Sequence, residues 1–460
     1  MKATISYAYS VRDVSHYAEQ LAEFLNQAIF PNFPQAFLKS FFTPYVAAWL
    51  VYSEDIYTAF AEAPPASMRE LYSVCKGISD TRLREPDPSV ICPKNTKKPL
   101  LYMYTAPNFY ERLLFKFNGV SVASVALRVS EEPRQHKRAD THLRASLIEK
   151  SYDERFRNCT SLIKYMPVSI LETLKKGYYG HTIGGLPPGF ESLNPCVNLE
   201  EHYAFHVAKA KASGRLVFGQ PHGGYYCQGR CADSYELCEK ALSDFFQGPS
   251  WEGGIVKFPN FRVSKNLFLS KINFVKNVLF KNQKNDHVFL IVLPYYWGKL
   301  NDQSVLRKIL SSIGSLVDSS DNESVIQVLF KLHPFESKAD IDLFEEAMRQ
   351  ELPWLEVRIA VAASCRELFV AYKKILIMSP FATAIFELAP LKRVFHLYAD
   401  NEELRSSYEN FLRCEALEVV GVHRGRLFKL SSAKFKTAYN AMYFYPYYFS
   451  KHAVVDVPRD

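Results

Sequence analysis

Two histidines in this chain stand directly after short apolar runs, and the residues around each could handle a phosphate. His222 lies in Gly219-Gln220-Pro221-His222-Gly223-Gly224, after Leu216-Val217-Phe218; His333 lies in Lys331-Leu332-His333-Pro334-Phe335-Glu336, after Val328-Leu329-Phe330. A protonated imidazole donates a charge-assisted hydrogen bond to a phosphate oxygen. Pro334 holds the preceding His333 in extended backbone. Lys331 adds positive charge there, and Glu336 is a candidate helix-capping or cofactor-contacting carboxylate. In the first loop, His222 is a candidate for the leaving phosphate or an acceptor hydroxyl, and Gln220 for orienting a sugar hydroxyl. Gly219, Gly223 and Gly224 would let a ligand approach the backbone closely. The competing reading of the first loop is a well-packed turn supporting the cleft, and that of His333 a structural histidine satisfied by a backbone carbonyl.

A third segment, Ser379-Pro380-Phe381-Ala382-Thr383-Ala384-Ile385-Phe386-Glu387, follows the apolar run Ile375-Leu376-Ile377-Met378 and opens a predicted helix. The first amides of a helix are unpaired and its dipole is positive at that end, so an anion fits there. Ser379 and Thr383 supply hydroxyls. Glu387, one turn past Thr383, suits the ribose hydroxyls of a nucleotide, or else is an exposed helix acid. Tyr296, in Pro294-Tyr295-Tyr296-Trp297-Gly298 at the end of an apolar run, could stack on a base or sugar ring. Asp233 and Glu236 follow the His222 loop and are candidate bases, as are Glu239 and Asp244, though acids on a helix are often only solvated.

His222, Cys227, Cys231 and Cys238 are four soft ligands, but their spacings of five, four and seven match no compact zinc knuckle. Buried small side chains are the preferred reading of the cysteines, and no metal is expected. Neither GxGxxG nor a P-loop occurs, so no dinucleotide or ATPase motif is present.

These loops need strands to carry them. The second half alternates cleanly: strands at His287–Pro294, Val325–Phe330, Leu355–Ile359 (an edge strand), Ile375–Met378 and Val394–Tyr398, the last closing the series. Helices are predicted between them at Asp302–Leu316, Asp340–Arg349, Ser364–Ala371 and Thr383–Leu388. Such βαβα order implies a mostly parallel sheet covered on both faces, with chemistry outside the carboxyl ends of its strands. The first half is less regular. Helical spacing runs over residues 10–60 with a break at Pro31 and Pro34, short strands are expected at Leu100–Tyr104 and Gly119–Leu127, and residues 131–156 read as charged and helical. Gly177–Gly189 must be loop, and Glu201–Ala212 is a helix feeding a strand at residues 215–218.

At 460 residues the chain exceeds one hydrophobic core. The expected division is residues 1–275, an acceptor-side domain with a helical N-terminal elaboration; residues 276–430, a nucleotide-sugar domain; and residues 431–460, a tail returning to the first domain through the aromatic run Tyr443–Phe449. A net charge of +8 favours anionic partners, but no Lys/Arg block reads as a nucleic-acid tail, so nucleic acid is not an expected partner. The beginning Met1-Lys2-Ala3-Thr4-Ile5-Ser6-Tyr7 lacks a signal-peptide core, and no run reaches a membrane span. Nine cysteines are too sparse for a disulfide scaffold. The expected location is cytoplasmic, with peripheral association at the inner face of the plasma membrane left open.

The Gln220-Pro221-His222-Gly223-Gly224 and Lys331-Leu332-His333-Pro334 elements, with Ser379–Thr383 and Glu387, resemble those of bacterial capsule and O-antigen transferases, and more distantly capsule Kdo-transferases and bacterial polysialyltransferases. The similarity covers residues 175–400. It departs from the family where the usual Ser/Thr pair is diluted to Ser-Pro-Phe-Ala-Thr. The resemblance implies a GT-B-like α/β fold, two Rossmann-like domains facing a cleft. It implies transfer of a sugar, an acidic one such as Kdo or a sialic-acid-like sugar, from a CMP-linked donor to a glycan or glycolipid acceptor, with no further cofactor. His333 and the Ser379–Thr383 loop would then contact the CMP phosphate and Glu387 the nucleotide sugar. Two alternatives stay open: transfer of an alditol phosphate from a CDP donor, and a noncatalytic nucleotide- or glycan-binding protein.

Overall fold

The computed structural model describes residues 9–76, 100–103, 122–125, 138–175, 191–193, 201–214, 217–219, 234–246, 285–292, 327–332, 338–353, 356–360, 372–377, 394–399, 416–422 and 425–430. The first helix, α1 (Val11–Ala28), starts at a capping box: the Asp13 amide donates to Ser10 Oγ at 3.2 Å, and the Ser10 amide donates to Asp13 Oδ2 at 2.7 Å. Asn26 closes it, its Nδ2 donating to the carbonyls of Phe30 and Phe33. The break expected at Pro31 and Pro34 is present. Pro34 is the N-cap of α2 (Gln35–Ala59), which buries nearly every residue from Phe37 to Leu50.

A helix apolar on all sides must be surrounded, and α2 is. It packs on α1, on α3 (Met68–Lys76), and on two helices from much later in the chain, α7 (Glu201–Ala212) and α8 (Ser234–Leu242). Between these come α4 (Thr141–Lys150), a 3₁₀ turn (Glu154–Phe156), α5 (Cys159–Tyr165) and α6 (Val168–Lys175). Phe33, Phe37, Phe41 and Phe205 form a continuous run of ring contacts joining α2 to α7, with centroids 5.1–6.0 Å apart. Tyr45, one turn beyond Phe41, ties α2 to α5, its hydroxyl donating to the Leu162 carbonyl at 2.7 Å.

Two sheets accompany this helical core. The first has the order β2-β1-β3-β4-β5, all parallel, from β1 (Leu100–Met103), β2 (Val122–Val125), β3 (Glu191–Leu193), β4 (Val217–Gly219) and β5 (Phe245–Phe246). The second has seven strands in the order β11-β12-β10-β9-β6-β7-β8: β6 (Asn285–Val292), β7 (Gln327–Lys331), β8 (Glu356–Ala360), β9 (Tyr372–Ile377), β10 (Val394–Ala399), β11 (Ala416–Val422) and β12 (Gly425–Leu430). Helix α9 (Lys338–Glu351) links β7 to β8, with Phe344 set edge-on against Phe330 at 5.1 Å.

The GT-B-like expectation, α/β with two Rossmann-like domains facing a cleft, is corrected by this architecture. Helices, not a sheet between helical layers, form the large core of the described first half; among the described residues Val217 is the strand residue that joins it. The first sheet's strands are only two to four residues long. The second sheet is mixed, because β12 runs antiparallel to both β10 and β11. No cleft between two such domains is seen among the described residues. The physical reason is the apolar character of α2, whose burial needs helices on several sides.

Other expectations divide in the same way. Glu201–Ala212 is helical with the predicted bounds, and the Leu355–Ile359 run is an edge strand, as β8. Val394–Tyr398 does not close the series, since the β11–β12 hairpin follows it. Of the charged stretch 131–156, only α4 and the short 3₁₀ turn are helical among the described residues. The predicted helices at Asp302–Leu316, Ser364–Ala371 and Thr383–Leu388, the loop Gly177–Gly189 and the tail 431–460 lie outside the described residues.

Candidate functional site

The second sheet brings several strand ends level. Val292 of β6 is paired in register with Lys331 of β7 and with Ile377 of β9; Lys331 is paired with Ala360 of β8, and Ile377 with His396 of β10. The strands β10, β9, β6, β7 and β8 are mutually parallel, so this row marks the carboxyl ends of β9, β6, β7 and β8, while β10 runs on to Ala399. With strands ~4.8 Å apart, the ends of β9 and β7 lie about 10 Å from one another, on either side of β6. The sheet also reverses its direction of growth here. From β6 the chain adds β7 and β8 on one side, then β9 and β10 on the other. Open sheets bind ligands at such a reversal.

Lys331 is the described member of the candidate phosphate group. It is buried, and its Nζ donates to the Leu332 carbonyl at 2.6 Å. That bond ties the Lys331 side chain to the backbone one residue before His333. His333, Pro334, Glu336, Ser379, Thr383, Glu387 and Tyr296 lie outside the described residues.

In the first sheet, β4 runs between β3 and β5 and ends at Gly219, immediately before Gln220. Gly214, with φ of 69°, follows α7 in the left-handed conformation that suits glycine. Asp244 fixes the start of that strand. Its Oδ2 accepts from the Val217 amide at 2.7 Å, its own amide donates to the Val217 carbonyl at 2.8 Å, and its Oδ1 accepts from Lys211 Nζ at 2.8 Å. Asp244, one of the acids considered as a base, is thus engaged as an anchor for β4.

Glu236 is buried in the first turn of α8 and pairs with Lys240 Nζ at 2.7 Å, one turn on. The Lys240 ammonium also lies over the Phe246 ring at 5.6 Å. This carboxylate is therefore not a solvated helix acid. Lys240 and Lys211 were missed in the sequence. The Glu236–Lys240 spacing of i, i+4 was the available signal for the first; the second needs the tertiary fold. His222, Gln220 and Asp233 lie outside the described residues. Cys238, from the weighed metal cluster, is buried in the helical core. Among the described residues, no group of three or more His, Cys, Asp or Glu side chains could hold a metal ion. Among the same residues, no helix is long and apolar enough to cross a membrane.

No family model matches the chain, and no curated protein matches it. Among solved structures, it is similar to UDP-GlcNAc 2-epimerase from Neisseria meningitidis bound to UDP-GlcNAc, at 12% identity and a TM-score of 0.37, over 78% of this chain and 94% of that one. A similarity of that size carries no argument about activity.

Proposed function

We propose that this protein transfers a sugar from a CMP-activated donor to a glycan or glycolipid acceptor, the sugar being acidic, of the Kdo or sialic-acid kind. What supports the reading is the level row of strand ends in the second sheet. Ser379 stands two residues beyond Ile377, Tyr296 four beyond Val292, and His333 two beyond Lys331. The three segments expected to carry phosphate, ring and ribose chemistry thus follow, in sequence, three adjacent strands whose ends are level. On this reading His333 and the Ser379–Thr383 hydroxyls bind the departing CMP phosphate, Glu387 the ribose, and Tyr296 a ring. Donors fixed in place before charge develops account for much of the catalysis. Residues 276–430 would hold the nucleotide, and residues 1–275 the acceptor, near Gln220 and His222.

The test is release of free nucleotide from a panel of CMP-, CDP- and UDP-activated donors, with and without glycan acceptors. CMP release from CMP-sugars alone is the expected result. Turnover of CDP-alditol donors would replace this reading with alditol-phosphate transfer, and binding without turnover would make the protein a noncatalytic binder. His333→Ala should weaken CMP binding by roughly 10- to 100-fold, the worth of one charge-assisted hydrogen bond. Unchanged affinity on titration calorimetry would remove His333 from the phosphate site.

A further inference from the structure

The outer strand of the second sheet, β8, carries a charge pattern that fits its own copy. Strand β8 pairs with β7 on one side and is the last strand of the sheet on the other. Successive side chains of a strand alternate between faces. On one face of β8, Glu356 and Arg358 sit side by side, the Arg358 guanidinium donating to Glu356 Oε1 at 2.9 and 3.2 Å. Both side chains are open to solvent, 47% and 65% exposed. On the other face, Val357 and Ile359 are half-buried and line a crevice of about 330 Å³ with Met348, Leu352 and Pro353, rimmed by Glu345 and Arg349 of α9.

We propose that β8 pairs antiparallel with β8 of a second copy of this chain, about a two-fold axis through Val357. That register sets Glu356 of each copy opposite Arg358 of the other. Directly opposite residues in an antiparallel pair have Cβ atoms about 4.5–5.5 Å apart, close enough for opposite charges to attract and like charges to repel. The register one residue away, centred on Arg358, would oppose two arginines. The charges therefore select the partner, its direction and its alignment together. Charged residues on an edge normally discourage pairing. Here opposite signs at i and i+2 turn that protection into a match when the incoming strand is the same strand reversed. A two-fold axis perpendicular to the sheet also keeps both α9 helices on one side, so the crevices along β8 meet across the joint.

This inference is independent of the proposed activity. Sedimentation velocity of the full chain across the micromolar range should show a monomer–dimer equilibrium, and hydrogen exchange of the β8 amides should slow as the dimer forms. Arg358→Glu opposes acid to acid, and Glu356→Arg opposes base to base; each should weaken the dimer at least about tenfold. The double reversal, Glu356→Arg with Arg358→Glu, should restore it. A wild-type chain that stays monomeric throughout, β8 amides indifferent to concentration, or a dimer that either single reversal leaves unchanged would each overturn the proposal. The exchange measurement needs no variant, so it decides the matter even if a substituted chain folds poorly.

Discussion

Arg144 is a buried charge with every terminal nitrogen engaged. Its Nε and Nη2 donate to the two oxygens of Glu172 at 2.7 and 2.8 Å, and Nη1 donates to the Ile163 carbonyl at 2.8 Å. Both partners are buried. Removing one member strands the other charge away from water, which costs about 3–5 kcal/mol, whereas replacing both by apolar groups costs far less. Arg144→Met should therefore lower the unfolding free energy by that amount in urea titration, and adding Glu172→Leu should recover much of the loss. Titration makes a second prediction at this scale. Burial holds the Tyr45 and Tyr72 hydroxyls well above the ordinary phenol value of 10.0, and pushes the Cys159 thiol up from 9.0 to about 12. Each is an acid that loses its proton more readily in the unfolded chain. The folded state then retains more protons, and stability must fall as pH rises. Urea midpoints should decline from about pH 9 upward, first through Cys159 and then through the phenols. Tyr45→Phe should flatten the steeper part of that decline above pH 10.

Strand β4 illustrates how elements are held. It is three residues long, too short to stay in place through its own ladder. The Asp244 carboxylate binds its first amide, and Lys211 binds both that carboxylate and the Leu242 carbonyl. Asp244→Ala leaves the Val217 amide without its acceptor, a loss of about 1–3 kcal/mol. Hydrogen exchange should speed up at residues 217–219 while α1 and α2 keep their protection. This clasp was not legible in the sequence, where Asp244 read as a candidate base, because no local pattern links it to Lys211. What was legible had a local cause. The span of α7 follows from its helical spacing, the start of α2 from Pro34, and the strands β6 and β7 from their apolar runs. The hairpin of β11 and β12 was missed: only His423 and Arg424 separate its strands, neither a usual hairpin-turn residue, and Gly421 and Gly425 on either side were the available signal. The candidate site was legible as loops after strands. Their level alignment was not, because register is a property of paired strands.

For the molecule as a whole, the sequence pointed to sheets as the frame and underrated the helices. An apolar helix such as α2 announces burial but not the identity of its cover. That cover comes from α5, α7 and α8, far along the chain, and the bond from Tyr45 to Leu162 spans 117 residues. The charge reversals proposed at β8 and the donor panel proposed for the second sheet probe separate properties, so one can fail without the other.

The late arrival of that cover matters during synthesis. Helix α2 is complete at residue 59, but Phe205, which packs on Phe37 and Phe41, is translated about 150 residues later. At roughly 5–20 residues per second the nascent chain displays this apolar helix for on the order of ten seconds before its partners leave the ribosome. A chain stalled or truncated before residue 201 would lack α7 and α8 altogether, leaving a sticky fragment suited to chaperone capture.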